Sequence, residues 1–199
     1  MHLRDTRKEN MPVEILPYVP ERLWDCPGLP GVPTSWDGLE KIIPDIIRRF
    51  NIETYAAIEF GVWHGYSTAA LANNFEHVIG VDTFVGDILV GTSESMIETT
   101  RKTLSRWPNI RLVESAYQDF HFDVLRPGLI HIDILHTYEH TFACGVLALN
   151  QCDCVIFHDT ESFVEVKRAV SDLAGVFNRK FYNYPHCHGL GILAKEPKC

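Results

Sequence analysis

The chain has 199 residues, of which 46% are hydrophobic and 22% are charged. That length suits one domain with a buried core, and no apolar run approaches the roughly 20 residues that cross a bilayer. The formal net charge of −8 disfavours nucleic acid as a partner, because nucleic-acid binders usually carry a basic surface. We therefore predict a globular protein that binds neither nucleic acid nor membrane. Its association with copies of itself is left open.

Residues 1–35 form a lead that contains six prolines. Proline fixes the backbone and removes a hydrogen-bond donor, so this lead is predicted to be an extended N-terminal extension, with residues 36–199 forming the domain. Trp24 and Trp36 are expected to pin the extension to that domain. The first residues are polar and lack the apolar segment of a signal peptide, which predicts a cytoplasmic protein.

The first predicted helix covers residues 36–50, where leucine and isoleucine recur at helical spacing. Ser35 is its predicted N-cap. Pro44 lies inside this stretch and predicts a kink or a division of the helix there, because proline lacks the N–H that a helix interior needs.

Strands and helices then alternate along the chain. Strands are predicted at 55–60, 77–82, 110–114, 129–133 and 154–157, and helices at 67–73, 94–106, 138–149 and 163–174. This alternation predicts an α/β fold with a doubly wound, Rossmann-like parallel sheet. Two further strands, at 180–184 and 189–194, have no helix between them and are predicted to form a C-terminal antiparallel hairpin at the sheet edge.

A glycine-containing loop follows the first of these strands and reads Glu59-Phe60-Gly61-Val62-Trp63-His64-Gly65-Tyr66-Ser67. Ligands of doubly wound sheets bind outside the carboxyl ends of the strands, and glycine lets the backbone approach a ligand closely. Gly61 and Gly65 are therefore candidate cofactor-binding residues. Asp82 ends the second strand, 21 residues beyond Gly61, a spacing that suits a carboxylate bound to ribose hydroxyls.

The residues of this loop favour one nucleoside cofactor over another. A dinucleotide site would prefer G-x-G-x-x-G, but Val62 and Trp63 stand in place of the middle glycine, and Glu59 would repel a diphosphate. A carboxylate better suits a cofactor with a cationic amino-acid tail, which favours S-adenosylmethionine. A nicotinamide-dependent oxidoreductase is the first alternative, and a loop that merely permits a tight turn is another.

The segments EFGVWHGYS and HVIGVDTF resemble class I S-adenosylmethionine-dependent methyltransferases. More narrowly, they are similar to the branch with the antibiotic-sugar O-methyltransferases and the so-called cephalosporin hydroxylases. The resemblance runs from about Glu59 to the C-terminus and implies the class I methyltransferase fold. It implies O-methylation of a hydroxyl on a small molecule, such as a sugar, a glycan or a natural product. The implied cofactor contacts are Glu59, Gly61 and Ser67 for methionine, Asp82, Thr83 and Phe84 for ribose, and Tyr117, Gln118 and Asp119 for adenine.

Polar side chains follow two later strands of the predicted sheet. Asp133 and His136 come after one strand, and His158 and Asp159 after the next. Because parallel strands present their carboxyl ends on one edge, we expect all four to converge near the cofactor, with Asp133 contacting it. Carboxylates and imidazoles suit Mg²⁺ or another divalent metal, which would lower the pKa of a substrate hydroxyl. A neutral histidine acting as general base is the alternative.

The same residues match the resembled branch, which often carries an acid-x-acid-His-x-Tyr-Glu segment and then His-Asp-Thr. The match implies that Asp133 and Asp159 are metal ligands and that His136 and His158 are metal ligands or bases. We assign Asp133, His136 and His158 to catalysis and Asp133, His158 and Asp159 to a metal. The chain departs from the pattern at Leu135, which replaces the second acid. This departure keeps open a non-catalytic nucleoside-binding module.

Three other features of the sequence are weaker indications of function. Residues 85–95 are polar and contain glycine, which predicts a flap over the pocket with Asp87 facing it. His131 is predicted to be a core histidine. His186-Cys187-His188 resembles a metal cluster but lacks further ligands at useful spacing, so it is predicted to be a hairpin turn near the substrate side.

Overall fold

The computed structural model describes residues 13–85, 95–122 and 126–195. Within them lie eight strands, namely β1 (Ile15–Pro17), β2 (Ala56–Phe60), β3 (His77–Asp82), β4 (Ile110–Glu114), β5 (Leu129–Ile132), β6 (Cys154–His158), β7 (Lys180–Tyr184) and β8 (Leu190–Ala194). The α-helices of the described part are α1 (Ile43–Arg49), α2 (Tyr66–Ala72), α3 (Ile97–Thr103), α4 (Tyr138–Gln151) and α5 (Val164–Phe177). Of the predicted flap at 85–95, only residues 85 and 95 belong to the described part. Asp87 lies outside it.

The strands form one sheet in the order β1-β7-β8-β6-β5-β2-β3-β4. Strands β2 to β6 pair in parallel, whereas β8 pairs antiparallel with both β6 and β7. The order reverses between β2 and β5, so the carboxyl ends of these two strands flank the crevice where doubly wound sheets bind ligands. The predicted Rossmann-like sheet with a C-terminal antiparallel hairpin is confirmed.

The hairpin does not lie at the edge of the sheet, contrary to the prediction. β1, from the N-terminal lead, pairs in parallel with β7 and takes the outermost position. Just after β1, the buried hydroxyl of Tyr18 donates to Asp45 Oδ2 at 2.6 Å. The partner of this strand could not be predicted from a proline-rich sequence, because its three residues pair with a strand far away along the chain. The division of the chain at residue 35 stays a prediction.

The first helical stretch is divided, as Pro44 predicted. A 3-10 turn at Leu39–Lys41 precedes α1, and Pro44 falls in the first turn of α1, where the missing N–H has no intrahelical partner to lose. Ser35 is not the N-cap, contrary to the prediction, because Gly38 and Ile42 hold the two cap positions.

Two hydrophobic clusters cover the opposite faces of the sheet. Successive strand residues alternate between them, as Ala57 and Ile58 of β2 do, because side chains along a strand point to alternate faces. α1 and α2 contribute to the first cluster, and α4 and α5 to the second. Trp36 is 2% exposed and belongs to the first cluster, which confirms that it pins the lead. None of the helices in the described ranges is long and apolar enough to cross a membrane.

Candidate active site

A cavity of about 770 Å³ opens at the carboxyl ends of the parallel strands. The loops after β2, β3 and β4 line one half, which we call the nucleoside half, and those after β5 and β6 line the other, which we call the acceptor half. Residues 33–35 of the lead, and Trp36 directly after it, also line this cavity. Both groups of predicted site residues therefore face one space, as the parallel sheet requires.

Asp82 organises the nucleoside half. Its Oδ2 accepts the backbone N–H groups of Val62 at 2.7 Å and Trp63 at 3.0 Å, and its Oδ1 accepts the N–H of Phe84 at 2.8 Å. A carboxylate offers about four acceptor positions, so three amides leave room for about one ligand hydroxyl. Asp82 lines the cavity and also fixes the shape of the glycine loop, a second role that sequence spacing could not reveal.

Glu59 lies beneath the cavity wall, which revises its predicted contact with the cofactor. Its side chain is fully buried, Oε1 lies 2.8 Å from Nδ1 of His131, and Oε2 accepts the hydroxyl of Thr68. Both carboxylate oxygens are thus used within the protein, and Glu59 joins β2 to β5 and α2. His131 is buried as predicted, although its Nε2 has no partner among the described residues.

The remaining predicted cofactor residues divide into two groups. Gly61, Ser67, Thr83 and Gln118 line the cavity. Gly65 and Phe84 do not: Gly65 begins α2 with a positive φ, and Phe84 packs with Val62 and Ile97 in a small apolar cluster. For these two residues the structure indicates support of the loop rather than ligand contact.

A polar cluster of Asp133, His136 and Asp159 forms the centre of the acceptor half. Ligand atoms of the three residues all lie within 4.8 Å of one another. His136 Nε2 is 2.8 Å from Asp159 Oδ2 and 3.5 Å from Asp133 Oδ1, but neither contact has the angles of a hydrogen bond. The imidazole nitrogen and the two carboxylates therefore face a common point and interact there chiefly by charge.

His158 lies next to this cluster and contacts one of its members, Asp133. Its Nδ1 lies 3.1 Å from Asp133 Oδ2, and its Nε2 lies 3.2 Å from the carbonyl oxygen of Cys187. Because both ring nitrogens face protein acceptors, His158 does not fit the predicted role of metal ligand, and His136 takes that place. The predicted turn at 186–188 is confirmed, and its contribution is the Cys187 carbonyl rather than a metal ligand.

The charges of the cluster shift its pKa values in opposite directions. Burial favours a higher pKa for Asp133, but the neighbouring imidazoles of His136 and His158 outweigh burial and hold that pKa well below its usual range. Burial lowers the pKa of His136, whereas Asp133 and Asp159 raise it, to about 9 overall. The pKa of His158 is raised in the same way, against burial, chiefly by Asp133. In the metal-free protein His136 therefore already carries a proton at neutral pH and is a poor general base.

Several lining residues had not been identified from the sequence. Met96, His140 and residues 33–36 contribute to the cavity wall. Trp36 packs edge-on against His131 and His158, with ring centroids 4.9 and 6.4 Å away. The prolines and tryptophan of the lead were visible in the sequence, but their place over the acceptor half depends on long-range packing.

A family model described as a methyltransferase domain matches residues 58–160, which are 103 of the 199 residues. The chain belongs to this family. It is an S-adenosylmethionine-dependent methyltransferase with the class I fold, as the sequence segments after β2 and β3 had indicated. This assignment decides against the nicotinamide-dependent oxidoreductase.

Solved structures share the fold of this methyltransferase at low sequence identity. The O-methyltransferase NovP is 15% identical with a TM-score of 0.61, over 81% of this chain and 79% of NovP. The N-methyltransferase NodS from Bradyrhizobium japonicum WM9 is 12% identical with a TM-score of 0.52, over 81% of this chain and 99% of NodS. SMU.1697c from Streptococcus mutans, described as a proposed methyltransferase in complex with SAH, is 12% identical with a TM-score of 0.56, over 81% and 98% of the two chains. Among curated proteins no sequence matches this chain.

Proposed function

We propose that this methyltransferase transfers the methyl group of S-adenosylmethionine to a hydroxyl oxygen of a small molecule. The observation that supports this best is the shared cavity, which places the loop held by Asp82 beside the cluster of Asp133, His136 and Asp159. The S–CH₃ bond of the donor breaks and leaves S-adenosylhomocysteine, an O–CH₃ bond forms, and the hydroxyl proton passes to solvent water. Holding donor and acceptor at adjacent positions supplies much of the rate of such a transfer.

The nucleoside half fits the methyl donor. Asp82 retains about one acceptor position for a ribose hydroxyl, and Ser67, Thr83 and Gln118 add polar groups along the wall. We propose Asp82 for the ribose and Gln118, with the neighbouring Tyr117, for the adenine. Asp133 lies against the same loop, since its N–H donates to the carbonyl oxygen of Phe60 at 2.8 Å.

The acceptor half fits a divalent metal through Asp133, His136 and Asp159. Two carboxylates and an imidazole are suitable donors for Mg²⁺ or Mn²⁺, and this assignment is supported by Nε2 of His136, which faces both carboxylates and has no hydrogen-bond partner among the described residues. A cation held there would lower the pKa of a hydroxyl bound to it. His158 keeps Asp133 oriented, and the Cys187 carbonyl keeps His158 oriented.

Calorimetry and methyl transfer test the proposal together. S-adenosylhomocysteine should bind the protein, and labelled methyl from S-adenosylmethionine should reach a hydroxyl compound in the presence of Mg²⁺. Asp133→Asn should lower the transfer rate by at least about 100-fold, as expected for loss of a charged group at the reacting centre. Asp172→Asn is the matched control, because Asp172 is an exposed acid on α5 that accepts the hydroxyl of Tyr138.

Three results would contradict the proposal. If the protein does not bind S-adenosylhomocysteine, the proposed donor site is wrong. Transfer that is as fast in Asp133→Asn as in the wild type would remove Asp133 from the reaction. Binding of the nucleoside with no transfer to any acceptor would favour the non-catalytic module that the Leu135 substitution had kept open.

A further inference from the structure

Leu135 occupies an unusual place for a leucine, between two members of the polar cluster. Its side chain is 43% exposed, and it lines the cavity beside Asp133 and His136. Its carbonyl oxygen accepts the N–H of Thr137 at 2.9 Å, and Thr137 caps α4. The backbone that follows Leu135 is therefore fixed, and an apolar side chain lies at the cavity wall next to Asp133 and His136.

Ile134 and the ring of His136 extend this surface in both directions along the chain. Ile134 lines the cavity on one side of Leu135. On the other side the ring of His136 stacks on Phe163, with centroids 4.2 Å apart and planes inclined by 8°. This stacking fixes the plane of the imidazole ring at the cavity wall. A flat, apolar ligand body would cover Leu135 and remove its exposed surface from water, which is favourable.

The described lining of the cavity lacks the lysine and arginine side chains that usually bind an anionic group. The titratable side chains that line the acceptor half are Asp133, His136, His140, His158 and Asp159. Among the described residues that line the cavity, none is a lysine or an arginine. A phosphate or carboxylate on the acceptor would lie near Asp133 and Asp159 without the bidentate partner that such groups usually receive.

The surface formed by Ile134 and Leu135 fits phenols better than sugars, because its side chains cannot form hydrogen bonds. A sugar carries hydroxyls around its whole ring, and each one that is buried without a partner lowers affinity by about 1–3 kcal/mol. Leu135 and Ile134 offer no side-chain partner to such hydroxyls. A phenol presents apolar ring faces to the wall and its hydroxyl to the cluster.

We propose that the acceptor is an uncharged phenol and that Leu135 is a specificity-determining residue, with the ring of the acceptor against Leu135. This inference rests on the proposed function, since it names the substrate class of the same site. It also gives a role to the residue at which the chain departs from the resembled branch.

The test compares labelled methyl transfer to 4-ethylphenol, to catechol and to methyl β-D-glucopyranoside in the presence of Mg²⁺. The wild type should favour at least one phenol over the glucoside by at least about tenfold in kcat/KM, the discrimination typical of an apolar contact. Leu135→Asp should raise the KM for the phenol by at least about tenfold and leave the KM for S-adenosylmethionine within about twofold. Leu135→Met keeps an apolar side chain and should stay near the wild type.

Leu147→Asp is the matched control, because Leu147 is a 38% exposed leucine on α4 that does not line the cavity. It should leave both KM values unchanged. Preference for the glucoside, or a phenol KM that is unaffected by Leu135→Asp, would overturn the inference. Binding of S-adenosylhomocysteine without transfer to either phenol would also overturn it. Calorimetry on the same protein keeps this outcome separate from failure of the proposed function, in which S-adenosylhomocysteine does not bind.

Discussion

A Cβ atom added to Gly61 would lie 1.7 Å from the carbonyl oxygen of Asp133. The backbone of the nucleoside loop thus touches the backbone that carries the metal-site carboxylate, and no side chain fits between them. Gly61 also has a φ of +90°, a conformation that L-residues rarely adopt. The contact holds the two halves of the cavity at a fixed separation.

Gly61→Ala should therefore destabilise the protein and damage both halves of the site. We expect the free energy of unfolding to fall by at least about 2 kcal/mol, from backbone strain and the forced shift of Asp133. Thermal denaturation and calorimetry with S-adenosylhomocysteine measure the two effects. Gly31→Ala is the control, because nothing lies within 4 Å of a Cβ at Gly31. Equal stability of the two variants would show that the loop can move away from Asp133.

Asp82→Asn should weaken nucleoside binding. An amide can present its oxygen to only one side, so its NH₂ group must face backbone N–H groups that Asp82 now accepts. We expect the Kd for S-adenosylhomocysteine to rise by at least about tenfold. Glu114→Gln is the matched control, since Glu114 is the register partner of Asp82 on β4 and is exposed. An unchanged Kd in Asp82→Asn would remove Asp82 from the donor site.

Glu59→Gln distinguishes a supporting residue from a ligand contact. Glutamine can keep hydrogen bonds to both Thr68 and His131, so the Kd for S-adenosylhomocysteine should stay within about threefold of the wild type. A carboxylate that paired with the cationic tail of the donor would instead give a loss of at least about tenfold. Calorimetry with S-adenosylmethionine itself, which has the same amino-acid group and an additional positive charge on sulfur, is the second measurement.

Asp159→Asn should weaken binding of Mn²⁺, used as a spectroscopic probe in place of Mg²⁺. Removing one of two carboxylate ligands is expected to raise the Kd for Mn²⁺ by about 10- to 100-fold. Asparagine tolerates the left-handed conformation of Asp159, whose φ is 64°, so the fold should survive. Asp172→Asn should leave the Mn²⁺ signal unchanged. Tight Mn²⁺ binding by Asp159→Asn would place the ion elsewhere.

The metal-free protein should lose stability as the pH rises above neutrality. The pKa of His136 is raised to about 9 from an ordinary value of 6.5, so its contribution is complete below pH 6.5 and is lost as the pH rises through 9. Because His136 is partly open to solvent, we expect about 1–2 kcal/mol rather than the full linkage value. Chemical denaturation in EDTA between pH 6 and pH 10 measures this loss.

His136→Asn should flatten this pH profile. The control is His77→Asn, which changes an exposed histidine on β3 and should keep the wild-type slope. An NMR titration of the wild type in EDTA gives the pKa directly. A His136 pKa near 6.5 would show that the two carboxylates do not act on it.

Most of the sheet could be predicted from the sequence, since buried parallel strands such as Cys154–His158 are continuous apolar runs. The parallel topology also predicted that Asp82, Asp133 and Asp159 would lie at one edge of the sheet, where they line the cavity. Local sequence could not show that both ring nitrogens of His158 contact protein acceptors, on Asp133 and Cys187. Nor could it show that the Glu59 side chain is buried against His131. Those outcomes depend on partners 25 to 72 residues away.

The lead that supplies β1 also shields the sheet. β1 pairs with the outer side of β7, so three residues occupy backbone groups that would otherwise be free to pair with another chain. An uncovered strand of this kind promotes edge-to-edge aggregation. Removing residues 13–17 would expose the backbone groups of β7 and should make the protein more prone to edge-to-edge association.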